Sequence, residues 1–144
     1  MATLRLFQYT TMSKERPAFD KAGNTGFQHL RNAAMFSLQG LREAVKRESA
    51  FRQELGLLAI LTPLAVWIAT DLLSFVLLIS TALLVLVVEL LNSGIEAAID
   101  RVGTEYHDLA KLGKDYGSAA VMLALVIAAM VWGALLLQKV GVAP

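Results

Sequence analysis

The sequence predicts an all-α membrane protein: an N-terminal amphipathic surface helix followed by three transmembrane helices. Three observations carry this prediction. Residues of the set AVILMFWYC make up 56% of the 144-residue chain and charged residues 17%, against about 45–50% (a set that counts Gly and omits Tyr) and about 25% in soluble domains. The charges are segregated: Leu55–Thr70, Leu72–Val88 and Gly117–Gln138 are uncharged runs of 16, 17 and 22 residues. Lys and Arg are segregated too, with nine of 13 before Leu55. A soluble chain of this length cannot hide so much apolar surface. The alternative, three buried helices of a soluble bundle, would show polar stripes.

Met1–Gly23 is polar, contains Pro17, has no clear period and reads as a loose extension. Asn24-Thr25-Gly26 is a turn or cap signal. From there Phe27, Leu30, Ala34, Leu38, Leu41 and Val45 recur at helical spacing, with His29, Arg31, Asn32, Gln39, Arg42, Glu43 and Lys46 largely elsewhere. This predicts an amphipathic helix over 27–47 lying on the membrane surface. A helix packed on a protein partner is the other reading. Runs near 20 residues span a hydrocarbon core of about 30 Å at about 1.5 Å rise per residue. With their flanks included, the predicted spans are 49–69, 72–102 and 116–138. The first apolar run begins too late for a signal peptide.

Orientation follows from Lys and Arg. None lies between Leu55 and Val88, Arg101, Lys111 and Lys114 lie between the second and third spans, and Lys139 stands alone at the far end. The positive-inside rule then puts the N-terminus and the second loop in the cytoplasm. With 13 Lys+Arg against 12 Asp+Glu the net charge is +1, too balanced to steer the chain onto nucleic acid. The absence of cysteine excludes disulfides, thiolate zinc sites and a thiol nucleophile. There is no internal repeat and no low-complexity tract.

The informative stretch is VELLNSGIEAAIDR, residues 88–101. Glu89, Asn92, Ser93, Glu96 and Asp100 share one helix face, while Leu90, Leu91, Ile95 and Ile99 lie opposite. Counted from Leu72, Glu89 lies about 26 Å along the axis, at or just inside the cytoplasmic interface. Carboxylates at that depth are costly without partners. The segment TEYHDLAKLGKDYGS supplies Glu105, His107, Asp108, Lys114, Asp115 and Ser118, and Glu48 and Glu54 flank the start of the first span. Carboxylates without thiols suit Mg²⁺ rather than zinc. A Lys with carboxylate-held Mg²⁺ is what a polyphosphate needs. A spare carboxylate such as Glu89 can take a proton from a lipid hydroxyl. An interhelical hydrogen-bond network and a proton- or cation-coupled path are the alternatives for the stripe. A lone His107 and a lone Lys114 also have plain readings, as a structural side chain and an interface anchor. Leu112-Gly113-Lys114-Asp115 is not a phosphate-binding loop of the P-loop kind, because its first glycine is missing and Asp replaces Ser/Thr.

Taken together, Arg47-Glu48-Ser49-Ala50-Phe51-Arg52-Gln53-Glu54, ELLNSGIEAAIDR and GTEYHDLAKLGKDYGSAAV resemble the small prokaryotic integral-membrane diacylglycerol kinases, over about Gly26 to Leu137. The resemblance implies a surface helix plus three transmembrane helices per chain, a homotrimer with composite active sites, and the bacterial inner membrane. It implies transfer of the ATP γ-phosphate to the hydroxyl of diacylglycerol, giving phosphatidic acid. By the same resemblance Glu89 is the catalytic base. Glu48 and Glu96 hold the divalent metal with ATP. Glu105, Tyr106, His107, Lys114 and Asp115 contact the nucleotide. Ser118, Gln53 and Glu54 lie on the lipid side, and Asn92 and Asp100 complete the polar stripe. Arg47, Phe36 and His29 depart from residues common in relatives, and none touches the three carboxylates. Gram-positive relatives phosphorylate undecaprenol with the same motif, so undecaprenol kinase is the sister reading. A small proton-coupled transporter using Glu89 and Glu96 is the reading from another class, although a transport carboxylate belongs nearer the midplane.

Overall fold

A computed structural model describes residues 26–103 and 105–142. It is all-helical among those residues: α1 Gly26–Arg47, α2 Ser49–Ile68, α3 Leu72–Val102 and α4 Asp108–Lys139. The predicted extension over 1–23 lies outside the described residues. The chain falls into two units whose boundary lies inside α1, between Gly40 and Leu41. In the first, the described part of α1 exposes Phe27, Leu30 and Leu38.

The second unit holds the last turns of α1 and the three long helices. α2, α3 and α4 are each long and apolar enough to cross a membrane. The 31 residues of α3 rise about 46 Å, well beyond a hydrocarbon core of about 30 Å. Its last turns, with Glu96 and Asp100, therefore stand in or past the headgroup layer if Leu72 marks the opposite edge. α3 is the central element, flanked by α2 and α4, which hardly meet each other. A groove is left between α2 and α4 with α3 as its floor.

Two apolar clusters fix this arrangement. At one end Phe51 of α2 is buried with Ala44 and Leu86, and Leu58 and Leu90 pack against them. At the other, Ala65, Ile68 and Leu78 are buried, with Phe75, Ile79, Trp132 and Leu135 around them. There the indole Nε1 of Trp132 donates to the Leu78 carbonyl at 3.2 Å, tying α4 to α3. The α2–α3 turn is capped by Asp71, whose Oδ1 accepts from the Ser74 backbone N–H at 2.8 Å. That bond meets one of the orphan donors at the start of α3.

The predicted third span, about 116–138, lies inside a longer helix. α4 begins at Asp108, eight residues before the predicted start at 116. An uncharged run marks where hydrocarbon begins, whereas a helix runs on into water where Asp, Lys and Tyr are at no disadvantage. His107 starts α4, its Nδ1 accepting from the Leu109 N–H at 3.2 Å, a capping role that spacing did not suggest.

Candidate active site

The polar stripe of α3 becomes the wall of a cleft. Glu89, Asn92, Ser93 and Glu96 line it from α3, Glu48 from the junction of α1 and α2, and Ser118 from α4, around a space of about 480 Å³. Three carboxylates from two elements thus face one opening. Glu89 is the deepest, only 6% exposed. The Asn92 amide Nδ2 donates to Glu96 Oε1 at 3.2 Å. Its Oδ1 is buried and finds no hydrogen-bond partner among the described residues. That oxygen sits against Gly117 of α4, where an added Cβ would collide with it and lie 3.2 Å from Asn92 Cγ. With the Asn92 side chain seated here, position 117 has no room for a Cβ.

Nearer the open ends of α3 and α4 lies a second cleft, lined by Asp100, Glu105, Tyr106, His107, Lys111, Lys114 and Asp115. Lys114 Nζ reaches Asp100 Oδ1 at 2.6 Å, and Lys111 pairs with Asp115. Both cations stay largely solvated, with side chains 42% and 58% exposed. Glu96 and Asp100 are one helical turn apart, so about 6 Å of rise separates the walls of the two clefts. In the other direction the acidic cleft meets an apolar groove between α2 and α4. Leu125 lines both, and Leu57, Leu58, Leu61, Val85 and Trp132 line the groove with Glu54 at its acidic end. Glu54 Oε2 is buried there with no hydrogen-bond partner among the described residues.

The sequence-predicted residues thus divide into three groups. Glu48, Glu89, Asn92, Glu96 and Ser118 share the first cleft. Asp100, Glu105, Tyr106, His107, Lys114 and Asp115 share the second. Glu54 joins the apolar groove, whereas Gln53 is exposed and lines none of the three. Sequence reasoning missed Lys111 as a member of the second cleft, though its i, i+4 spacing to Asp115 is a readable signal. It also missed Gly117 as the neighbour of Asn92, for which one sequence carries no signal.

Among the described residues no group of three or more His, Asp or Glu side chains gathers closely enough to cage a metal. Two carboxylates, Glu48 and Glu96, instead border one solvent-open space. That set fits Mg²⁺, which is held by one or two carboxylates with the rest of its shell supplied by water and phosphate.

Fold and site define the class: a small helical membrane protein with an acidic, oxygen-donor cleft at one end of its bundle, opening onto an apolar groove. Residues 35–136 match the prokaryotic diacylglycerol kinase family, and the chain belongs to that family. It is 48% identical to the diacylglycerol kinase of Haemophilus influenzae over 112 residues, covering 78% of this chain and 95% of that protein. It is 46% identical to the diacylglycerol kinase of Escherichia coli (strain K12) over 117 residues, 81% of this chain and 96% of that protein. The diacylglycerol kinase of Pseudomonas aeruginosa is 44% identical over 115 residues, 80% of this chain and 94% of that protein.

Proposed function

We propose that this chain is a lipid kinase that transfers the γ-phosphoryl group of ATP to the free hydroxyl of diacylglycerol, giving phosphatidic acid and ADP. One observation carries the reading: three carboxylates share a cleft that passes at Leu125 into an apolar groove. A diacylglycerol lying in that groove would present its hydroxyl at the acidic cleft, beside the second, cation-bearing cleft where a nucleotide would sit. Glu89, buried at the inner side of the acidic cleft, accepts the hydroxyl proton as the lipid oxygen bonds to the γ-phosphorus and the bond to the β–γ bridging oxygen breaks. Glu48 and Glu96 would hold Mg²⁺ with the nucleotide, and the bound ion would supply charge neutralisation for the transferring group. Lys114, with Glu105, Tyr106, His107 and Asp115, holds the nucleotide in the outer cleft. Ser118 and Glu54 serve the lipid side.

Assembly and location belong to the same proposal. Three helices enclose too little volume for ATP, metal and lipid, and α4 leaves Met122, Leu123, Val126 and Met130 exposed. Gly117, Ala120, Ala124, Ala128 and Gly133 recur along it at spacing that lets backbones approach in lipid. A homotrimer with composite sites is consistent with both. Membership of the prokaryotic kinase family favours the bacterial inner membrane, and the Lys and Arg bias favours the N-terminus and the clefts on the cytoplasmic side. It also favours the exposed apolar residues of α1 resting on that surface.

Undecaprenol kinase and proton-coupled transport are the weaker readings. The relatives reported above all carry the name diacylglycerol kinase, and Glu89 lies about 26 Å from Leu72 rather than at the midplane. Purified protein in mixed micelles with Mg-ATP tests the choice. ADP release should follow addition of diacylglycerol and stay near background with undecaprenol. ADP release with undecaprenol alone, or with neither lipid, overturns the proposal.

A further inference from the structure

We propose that Arg52 is a positioning residue for Glu48, acting as a latch on the elbow between α1 and α2. The inference rests on the reading of Glu48 as a metal–nucleotide ligand. Glu48 is the single non-helical residue between Arg47 and Ser49. Its extended backbone (φ −93°, ψ 114°) turns the chain from one helix into the next, and its side chain lines the acidic cleft. Whatever fixes that elbow fixes where the carboxylate points.

A helix end leaves its last carbonyls without intrahelical donors, and near lipid such orphans are costly. At the end of α1 the Ala44 carbonyl accepts from the Glu48 N–H at 2.9 Å. The next two carbonyls would look to Ser49 and Ala50, but the extended backbone at Glu48 breaks the helical path, and those amides make no bond back to Val45 or Lys46. Arg52 supplies the missing donors. Its Nη1 lies 3.2 Å from the Val45 carbonyl and 3.3 Å from that of Lys46. The Arg52 backbone N–H meanwhile donates to the Glu48 carbonyl at 3.3 Å. Backbone and side chain of one residue therefore hold Glu48 itself and the carbonyls of Val45 and Lys46 in the turn before it. Next to Arg52, Phe51 is buried against Ala44 and Leu86, which anchors the start of α2 to α3 and gives the latch a fixed base.

Arg suits this work better than Lys because its planar fork offers several donors in a set geometry, whereas Lys offers a point charge on a flexible stem. Read from the sequence, Arg52 is one of nine cations that orient the chain. A purely orienting charge and a latch respond differently to substitution.

The assembled protein in detergent micelles is compared with Arg52→Gln and Arg52→Lys by amide hydrogen exchange across residues 45–52, and by KM for Mg-ATP. Arg52→Gln should speed exchange at the elbow and raise KM about 5- to 10-fold, the loss expected for two hydrogen bonds, with kcat moved less. Arg52→Lys should fall between. In a Glu48→Gln background, Arg52→Gln should raise KM no further. Wild-type exchange and KM in Arg52→Lys would show that charge alone matters and overturn the latch. Multiplying effects of Arg52→Gln and Glu48→Gln would overturn it as well. If Arg52→Gln does not assemble, Arg52→Lys decides on the same two readouts. A loosened elbow in Arg52→Gln, with unchanged KM in Glu48→Gln, would keep the latch and remove the reading of Glu48.

Discussion

Asn92 donates to the Glu96 carboxylate at 3.2 Å while its own amide oxygen lies buried against Gly117. The two ends of one amide therefore join the packing of α3 on α4 to the orientation of a cleft carboxylate. Gly117→Ala separates these roles. In an otherwise native chain the new methyl must displace the Asn92 amide, which costs about 1–3 kcal/mol and should raise the KM for Mg-ATP. In an Asn92→Ala background the obstructing atoms are gone. There the substitution should be neutral or stabilising, because Ala is favoured over Gly within a helix by up to about 1 kcal/mol. Thermal unfolding and KM measured on the two singles and the double test this. Equal damage in both backgrounds would mean that backbone approach, not Asn92, demands the glycine.

The three carboxylates should separate by function. Glu89→Gln keeps the shape and the burial of Glu89 but cannot accept a proton. Turnover should fall about 10²- to 10⁴-fold with expression and assembly intact. Glu48→Gln and Glu96→Gln should instead raise the Mg²⁺ concentration needed for half-maximal rate. Steady-state kinetics over a Mg²⁺ series is the measurement. Wild-type rates in all three variants would remove the assigned roles.

Lys114 and Asp100 form a pair whose side chains are 42% and 61% exposed. An exposed pair adds little to stability, so Lys114→Ala should barely move the thermal midpoint. A cation facing a polyphosphate is a different matter. KM for ATP should rise about tenfold or more, since charge-assisted bonds to phosphate are strong. The wild-type KM should also climb with ionic strength more steeply than that of the variant. A large loss of stability with unchanged KM would make Lys114 a structural anchor, the plain reading its position at the interface also allows.

What was legible in one sequence followed from periodicity and charge. Spacing of 3, 4, 7 and 11 put Glu89, Asn92, Ser93, Glu96 and Asp100 on one face, and four of the five line the acidic cleft while Asp100 lines the neighbouring one. The three spans were legible because a charge inside hydrocarbon is costly. The start of α4 was not, since Asp108–Tyr116 is helical outside hydrocarbon and leaves no break in the charge pattern. Contacts between elements were also hidden. The Trp132–Leu78 bond joins residues 54 positions apart, and Arg52 looks like any other cation of the N-terminal half until its carbonyl partners are seen. Gln53 shows the limit of assigning by segment: it neighbours Glu54 in sequence, yet the turn of the helix carries it away from the groove that Glu54 enters.

The α2–α3 turn carries a pH dependence that is separate from catalysis. The Ser74 backbone N–H, bonded to Asp71 Oδ1 at 2.8 Å, holds the Asp71 carboxyl below the ordinary aspartate value, and the Ser74 hydroxyl adds to this. A carboxyl depressed in the folded state contributes stability that is fully present above its unfolded value of about 3.9 and is lost as pH falls through the folded value. Asp71→Ala should therefore lower the thermal midpoint by a few degrees near neutral pH, and the gap to wild type should shrink as pH drops below about 4. Asp71→Asn keeps an acceptor for the same N–H. It should retain most of the neutral-pH stability while losing the acid-linked change. Unfolding followed by tryptophan fluorescence in detergent across this range gives the test. A gap between wild type and Asp71→Ala that stays constant down to pH 3 would mean that the cap acts without its charge.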